Sequence, residues 1–405
     1  MRDARPSGLS RVGRATGAVV RGAAVLAVLA QRAMSQDTSS VQGGVYNRPV
    51  VVSAGRTSLG GYVEGHGSYA VADGASEGLQ MELRRFNLFV FSSLGPRLRF
   101  FAELEFEDGA REIALETAQV DMQINTALSL RGGILLVPLG AFNQGHDSPR
   151  WDFIERPLVS TRLIPGTLSE MGVGLFGRWV RGPFSVTYDA YLTNGLQDGV
   201  TLNGEGRTLI SAGKGPGMVA EDNNGEPATS GRMAARWRNV GELGVSQYAA
   251  VYNAWRVEGV AVDGRRSVRI SAVDWSTRLW RAEVRGEAAW AQIDLPPGAG
   301  DELGSRQVGA FTDVMVPVWR PRSSTWRDAV VSVALRAEFV DFNDGRFAST
   351  GGSIGDEVRA LVLGATFRPT AGTVFKLNYR REWRVDLVGR TSWVGAIQAG
   401  LATYF

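Results

Sequence analysis

Two sets of charged side chains in this 405-residue chain are spaced so that they could act on an ion passing them. The first is clustered between Pro138 and Glu170, where Arg150, Asp152, Glu155, Arg156, Arg162 and Glu170 are close enough in sequence to build an eyelet of mixed sign. Proline at 149, 157 and 165 would stiffen that stretch by fixing φ. The second set is dispersed: Arg99, Glu103, Glu105, Arg281, Glu283, Arg285, Arg336, Lys376 and Arg380 lie on the polar sides of segments that alternate with apolar or small residues. Residues at that spacing share one face of a β-strand. Charges gathered on the inner faces of several strands filter ions in a wet passage, with no covalent step. The same arrangement also serves structure, because Arg and Glu lining a lumen solvate one another and brace the wall. Glu155 and Arg156 are equally well placed to anchor their loop.

Other chemistry is poorly supplied. The chain has two histidines, His66 and His146, and no cysteine, so a transition-metal cluster would depend almost wholly on carboxylates; neither a metal nor a cofactor is expected. The oxygen-rich run Glu221 to Glu226 lacks the ligand spacing of a calcium loop and reads as solvated loop. No serine and histidine pair stands out as a nucleophile and its base. The glycines punctuate strands and do not open helices, so no phosphate loop is present. No catalytic residue, and no enzyme, is expected.

The elements that must position the charges are strands. From Ser58 onward, segments of about ten residues alternate apolar with polar or small side chains and are broken by Gly, Pro, Asn or Asp. In Arg97 to Glu107, Leu98, Phe100, Ala102, Leu104 and Phe106 form one face, and Arg99, Glu103 and Glu105 belong to the other. Trp280 to Trp290 repeats the pattern, with the two tryptophans at the ends of its apolar face. At roughly 3.3 Å per residue and a tilt near 45°, those indoles would stand about 23 Å apart along a membrane normal, the spacing of two aromatic girdles. Arg232 and Arg269 are placed on polar faces by the same alternation.

About sixteen such segments fit between Ser58 and Phe405, joined in alternation by short turns and long loops. Gly182-Pro183 and Thr277-Arg278 are among the short turns; 138–170, 194–229, 255–266, 294–306 and 341–356 are the long loops. The fold class is therefore all-β, a transmembrane antiparallel up-and-down barrel. A soluble β-sandwich shares the alternation but not the number of segments. An even strand number puts both ends of the barrel on the short-turn side. Residues 36–57 then form a periplasmic lead-in and 58–405 the barrel, with 138–170 as constriction loop and 194–229 outside.

Residues 1–35 read as a secretory leader: Arg2, Arg5, Arg11, Arg14 and Arg21 precede the apolar stretch Gly22 to Ala30, and Ala33-Met34-Ser35 offers small residues for cleavage after Ser35. Its removal takes six Arg and one Asp, leaving 38 basic and 40 acidic residues and a formal charge of −2 in place of +3. The basic character of the chain thus owes much to the leader, and nucleic-acid binding loses its support. Export without cysteine leaves closure and packing as the sources of stability.

The strand that ends on Tyr404-Phe405 resembles the C-terminal assembly signal of Gram-negative barrels, which implies recognition of Phe405 by the outer-membrane insertion machinery. The stretches GGYVEGHGSY from Gly60, RFFAELEFEDG from Arg99 and LRGGILLVPLGAFNQGHDSPRWDFIERPLVSTRLIPGTLSEMGVGLFGRW from Leu130 resemble the porin family that includes the phosphate-selective porins O and P. Glu155-Arg156-Pro157 and Ile164-Pro165 are its most specific part, and the likeness fades after Trp179. It implies a sixteen-stranded homotrimeric diffusion porin in a Gram-negative outer membrane, amid lipid and lipopolysaccharide. It also implies that the loop between the fifth and sixth strands folds inward. Phosphate selectivity does not carry over, because Glu103, Glu105, Glu107, Glu283, Glu287 and Glu338 interrupt the cationic ladder it would need. The expected function is a passive channel for small solutes or ions, with some preference for anions. The alternative is a structural or partner-binding barrel plugged by its own loops.

Overall fold

The computed structural model of the protein describes residues 40–44, 46–321 and 326–405, and the expected leader lies outside them. The chain divides into residues 1–47, whose described part holds the short helix Val41–Gly44, and residues 48–405, which form the barrel. Its strands are β1 (Thr57–Ala72), β2 (Leu79–Ser93), β3 (Leu98–Glu107), β4 (Glu112–Gln123), β5 (Ser129–Leu136), β6 (Ser169–Arg181), β7 (Phe184–Thr193) and β8 (Ala228–Trp237). They continue as β9 (Gly241–Val251), β10 (Ser267–Leu279), β11 (Ala282–Ile293), β12 (Arg306–Trp319), β13 (Val330–Asp341), β14 (Glu357–Thr370), β15 (Thr373–Val385) and β16 (Thr391–Tyr404).

Each strand pairs antiparallel with its sequence neighbours, and β16 closes on β1 from Val394↔Ala72 to Tyr404↔Tyr62, giving a sixteen-stranded transmembrane barrel. The short stretch Val52–Ala54 adds to the start of β1. Closure satisfies every strand edge, the condition for backbone to cross hydrocarbon. Phe405 completes the seam: its N–H and carbonyl exchange 3.0 Å hydrogen bonds with Gly61, and its ring stacks on Phe86 at 5.4 Å. A Cβ on Gly61 would lie 2.6 Å from that ring, so glycine is required there.

The period of two sorts each strand by face. In β13, Val333, Leu335, Ala337 and Phe339 are exposed outward while Ala334, Arg336, Glu338 and Val340 are buried inward. Trp179, Trp237 and Trp319 are exposed near the short-turn rim, and Trp290 and Trp383 near the opposite one. Trp280 belongs to the first group but not to a strand. The expected turn at Thr277-Arg278 lies three residues later, at Trp280-Arg281, with Trp280 at φ +57°. Thr277 and Arg278 stay in the ladder opposite Val284 and Glu283, and the Arg278 to Glu283 ion pair at 2.5 Å holds it. Neither Gly, Pro nor Asn marks this turn, so turn chemistry gave no signal.

The interior departs from a uniformly polar lumen. Toward the long-loop rim of β9 to β13, Tyr248, Val268, Ile270, Ala289, Ile293, Phe311 and Val340 point inward and are buried. They are covered by Val137, Leu139, Val159, Leu163 and Leu168 from one loop and by Leu196, Val200, Ile210 and Met218 from the connection after β7. That second connection, expected outside, packs into the barrel mouth. Its apolar residues carry no strand period and therefore read as loop, although together they cover an apolar wall.

Candidate functional site

The connection between β5 and β6 crosses the lumen and is pinned to the wall at successive points. It enters at Gly140, whose φ of +70° suits glycine and whose N–H donates to Ser246 Oγ at 3.0 Å. The following turn, Gly140–Gln144, is held by Phe142 N–H donating to Glu287 Oε2 at 3.1 Å. Ser148 Oγ then donates to Glu64 on β1 at 2.5 Å, and Lys376 Nζ on β15 donates to the Ser148 and Phe153 carbonyls at 3.1 and 3.0 Å. Farther on, Leu158 N–H donates to Glu338 on β13 at 2.7 Å. The wide helical turn Val159–Leu163 returns to β11, where Ser160 Oγ donates to Glu287 Oε1 at 2.9 Å.

The sequence-derived eyelet residues are distributed along this path. Arg150 donates to Tyr404 Oη at 2.9 Å, and Asp152 lies between Arg368 at 3.0 Å and Arg285 at 3.3 Å. Glu155 accepts from Gln398 at 3.0 Å while its carbonyl accepts from Arg336 at 2.8 Å. Arg156 donates Nη1 to Thr167 Oγ1 at 3.2 Å, and its Nη2 is buried without a hydrogen-bond partner among the described residues. Arg162 is exposed to the lumen space. Glu170, at the start of β6, is fully buried, accepting from Thr193 and, at 2.8 Å, from Tyr248, so it is behind the lumen surface.

On the wall, Glu103 and Glu105 face inward and both accept from Asn87 Nδ2, at 2.7 and 2.8 Å. Arg99 shares their face toward the short-turn rim. Arg285 is stacked on Trp151 at 3.9 Å, Arg336 chelates Asp313 at 2.7 and 2.9 Å, and Arg380 pairs with Glu338 at 2.6 Å and Glu382 at 2.8 Å. Lys376 is buried under the loop. Glu283 is exposed, paired with Arg278. Arg281 does not line the lumen: it sits in the β10 to β11 turn, exposed, because the strand ends three residues later than its alternation implied. Arg269 likewise points outward, since Val268 and Ile270 take the inward positions of β10.

Several residues that sequence reasoning passed over do as much. Arg48, from the stretch expected to lead in from the periplasm, is buried in the barrel. It donates to Glu103 and to Asp147 of the loop, both at 2.6 Å, with its guanidinium over Phe89 at 4.4 Å. Asp313 and Glu64 are the hubs of two further networks, whereas Arg232, expected on a polar face, is buried inward and closed between Asp274 at 2.6 Å and Glu242 at 3.0 Å. Inward positions on their strands were visible for Asp313 and Glu64, but not their partners.

Above the loop lies a vestibule of about 1070 Å³ lined by both signs of charge, with Arg84, Arg156, Arg162, Lys214 and Arg380 facing Glu105, Glu107, Glu116, Glu155 and Glu382. Beside the loop, Glu64, Arg85, His146, Trp151, Glu155, Arg156 and Arg336 line a second, much smaller cavity of about 10 Å³, room for about one water.

Asp152 couples the anchorage of the inward loop to pH. Burial alone would raise its carboxyl pKa, but the flanking Arg368 and Arg285 outweigh it and hold the group below its ordinary value. A depressed carboxylate contributes its anchorage above the unfolded pKa and loses it only as pH falls through the lower folded one. Current noise from the reconstituted barrel should therefore stay constant from neutral pH to about pH 4 and rise only below it. Asp152→Asn should show that noise already at neutral pH; a quiet variant would refute the anchoring role.

No protein-family profile matches the chain. An uncharacterized protein of Aquifex aeolicus is 32% identical over 147 residues, which span 35% of this chain and about a third (32%) of that protein. Among solved structures, the anion-selective porin from Comamonas acidovorans is similar with a TM-score of 0.54 at 15% identity, covering 86% of this chain and 99% of its own. The outer membrane channel DcaP of Acinetobacter baumannii gives 0.54 at 13%, over 88% and 99%. The trimer form of OmpT from Vibrio cholerae gives 0.51 at 10%, over 86% and 100%. At these identities the likeness is one of fold.

Proposed function

We propose that the protein is a non-enzymatic outer-membrane channel of the porin type, passing small solutes or ions by diffusion through a throat limited by its inward loop. The observation that carries this reading is a closed barrel whose interior holds a charged vestibule beside an inward-folded loop. The likeness in fold to an anion-selective porin and to an outer membrane channel agrees with it. Wall charges are mostly neutralised in pairs, whereas Arg162 and the buried Nη2 of Arg156 face the vestibule without an ion pair among the described residues. A mild preference for anions follows. The chain is exported, inserted through recognition of Phe405, embedded among outer-membrane lipid and lipopolysaccharide, and assembled as a homotrimer like the trimer form of OmpT.

Planar-bilayer recording tests the reading. The folded protein should give small discrete conductance steps, and Arg162→Glu should move the zero-current potential in a salt gradient toward cations. A second reading, a barrel plugged by its own loops that binds a partner outside, is favoured by the apolar packing of both loops. Silence of the wild-type protein in the bilayer, with conduction only after residues 140–166 are shortened, would select it.

A further inference from the structure

Four ligand-type side chains meet at the floor of the vestibule. Glu103 and Glu105 of β3, Glu116 of β4 and His146 of the inward loop each bring one ligand atom to within 4.8 Å of all the others, and all four are buried. Glu105 and Glu116 also line the vestibule, so the cluster is open to solutes from that side.

The local cations, with Lys214 across the vestibule, divide their charge between this group and other carboxylates. Arg48 divides its guanidinium between Glu103 and Asp147, at 2.6 Å each. Arg85 lies 3.6 Å from Glu105 but closer to Glu64 and Glu107, at 2.9 and 2.7 Å. Arg156 faces the same vestibule and spends Nη1 on Thr167.

Two further observations point to a bound cation. Asn87 is fully buried with Nδ2 aimed into the cluster, bridging Glu103 and Glu105, and its Oδ1 has no hydrogen-bond partner among the described residues. His146 Nδ1 lies 2.9 Å from the Asn143 carbonyl, which can only accept, so that nitrogen carries the proton. The other nitrogen, Nε2, faces Glu116 at 3.2 Å. A backbone carbonyl that fixes the tautomer and turns the second nitrogen toward carboxylates is the outer-shell arrangement of metal-binding histidines.

We propose that Glu103, Glu105, Glu116 and His146 form a binding site for one divalent first-row ion of borderline softness, such as Zn²⁺, which ties the inward loop to β3 and β4. Three carboxylate oxygens with one imidazole suit that class better than Ca²⁺ or Mg²⁺, which take oxygen ligands alone. The ion takes the place of the proton between Nε2 and Glu116, and its charge offsets the carboxylate excess. The expectation of no metal, drawn from there being only two histidines and no cysteine, is revised by the fold bringing His146 to three glutamates.

The test uses the full-length folded protein in detergent, freed of metal by a chelator and titrated calorimetrically with ZnCl₂. One equivalent should bind in the wild type. His146→Ala and Glu116→Gln should each weaken binding at least about tenfold, and His66→Ala should leave it unchanged. Absence of stoichiometric binding, or binding that survives His146→Ala undiminished, overturns the proposal. Should a variant fail to fold, judged by heat-modifiable migration, wild-type protein loaded with Mn²⁺ decides the matter by pulsed electron paramagnetic resonance. Nitrogen coupling from a coordinated imidazole is expected, and its absence overturns the site. Neither readout depends on conduction.

Discussion

Asp313→Ala is expected to destabilise the barrel by about 3–5 kcal/mol, because it strands a buried guanidinium. Arg336 is 1% exposed and Asp313 fully buried, joined by two parallel bonds of 2.7 and 2.9 Å, with Arg285 Nε at 3.4 Å from the same carboxylate. Water cannot compensate the lost partner at Arg336, whereas Arg285, 21% exposed, keeps Asp152 at 3.3 Å. The double substitution Asp313→Leu with Arg336→Met should recover much of the loss, since removing both charges removes the desolvation penalty. Urea unfolding of the lipid-reconstituted protein, followed by tryptophan fluorescence, measures both. A single variant within about 1 kcal/mol of wild type would show that the pair is not buried as described.

Gly140→Val is expected to unseat the inward loop and raise single-channel conductance several-fold. The position requires φ +70°, which a β-branched residue rarely adopts, at a strain of roughly 1–3 kcal/mol. A Cβ there would also lie 2.3 Å from Glu287 Oε2. That carboxylate holds both ends of the loop, through Phe142 N–H and Ser160 Oγ, so pushing it aside releases two attachments at once. Gly95→Val, at a turn where an added Cβ meets nothing within 4 Å, serves as control and should conduct as wild type. Equal conductance in the two variants would mean that the loop does not set the throat.

The strands were legible because their signal is local. The expected segment Arg97 to Glu107 is β3 to within a residue, and Phe184 to Thr193 coincides with β7. The turn at Trp280-Arg281 was misplaced because alternation runs unbroken through Thr277 to Leu279 and no turn residue interrupts it. Arg269 was misassigned for a related reason: in β10 the inward face near the rim is Val268, Ile270 and Ala272, the reverse of the polar-inside rule. Those residues pack under loops, and loops have no period from which packing could be read.

The candidate site was legible only in part. The stretch from Arg150 to Arg162 lies on the inward loop, but the groups that pin that loop to the wall lie at Glu64, Arg336, Arg368 and Tyr404, far along the chain. Arg48 and His146 gave no signal at all. Each acts through groups that closure brings near, Glu103 in one case and Glu116 in the other.

The amino-acid sequence alone determined the strand number, the face on which nearly every wall residue lies and the position of the inward loop, because a period of two needs only neighbouring residues. Only the tertiary structure decided which charges pair, which part of the lumen is filled with apolar side chains and where the inward loop is pinned to the wall. Those properties depend on distances across the barrel, between residues up to 257 positions apart such as Asp147 and Tyr404, and spacing along the chain carries no record of them.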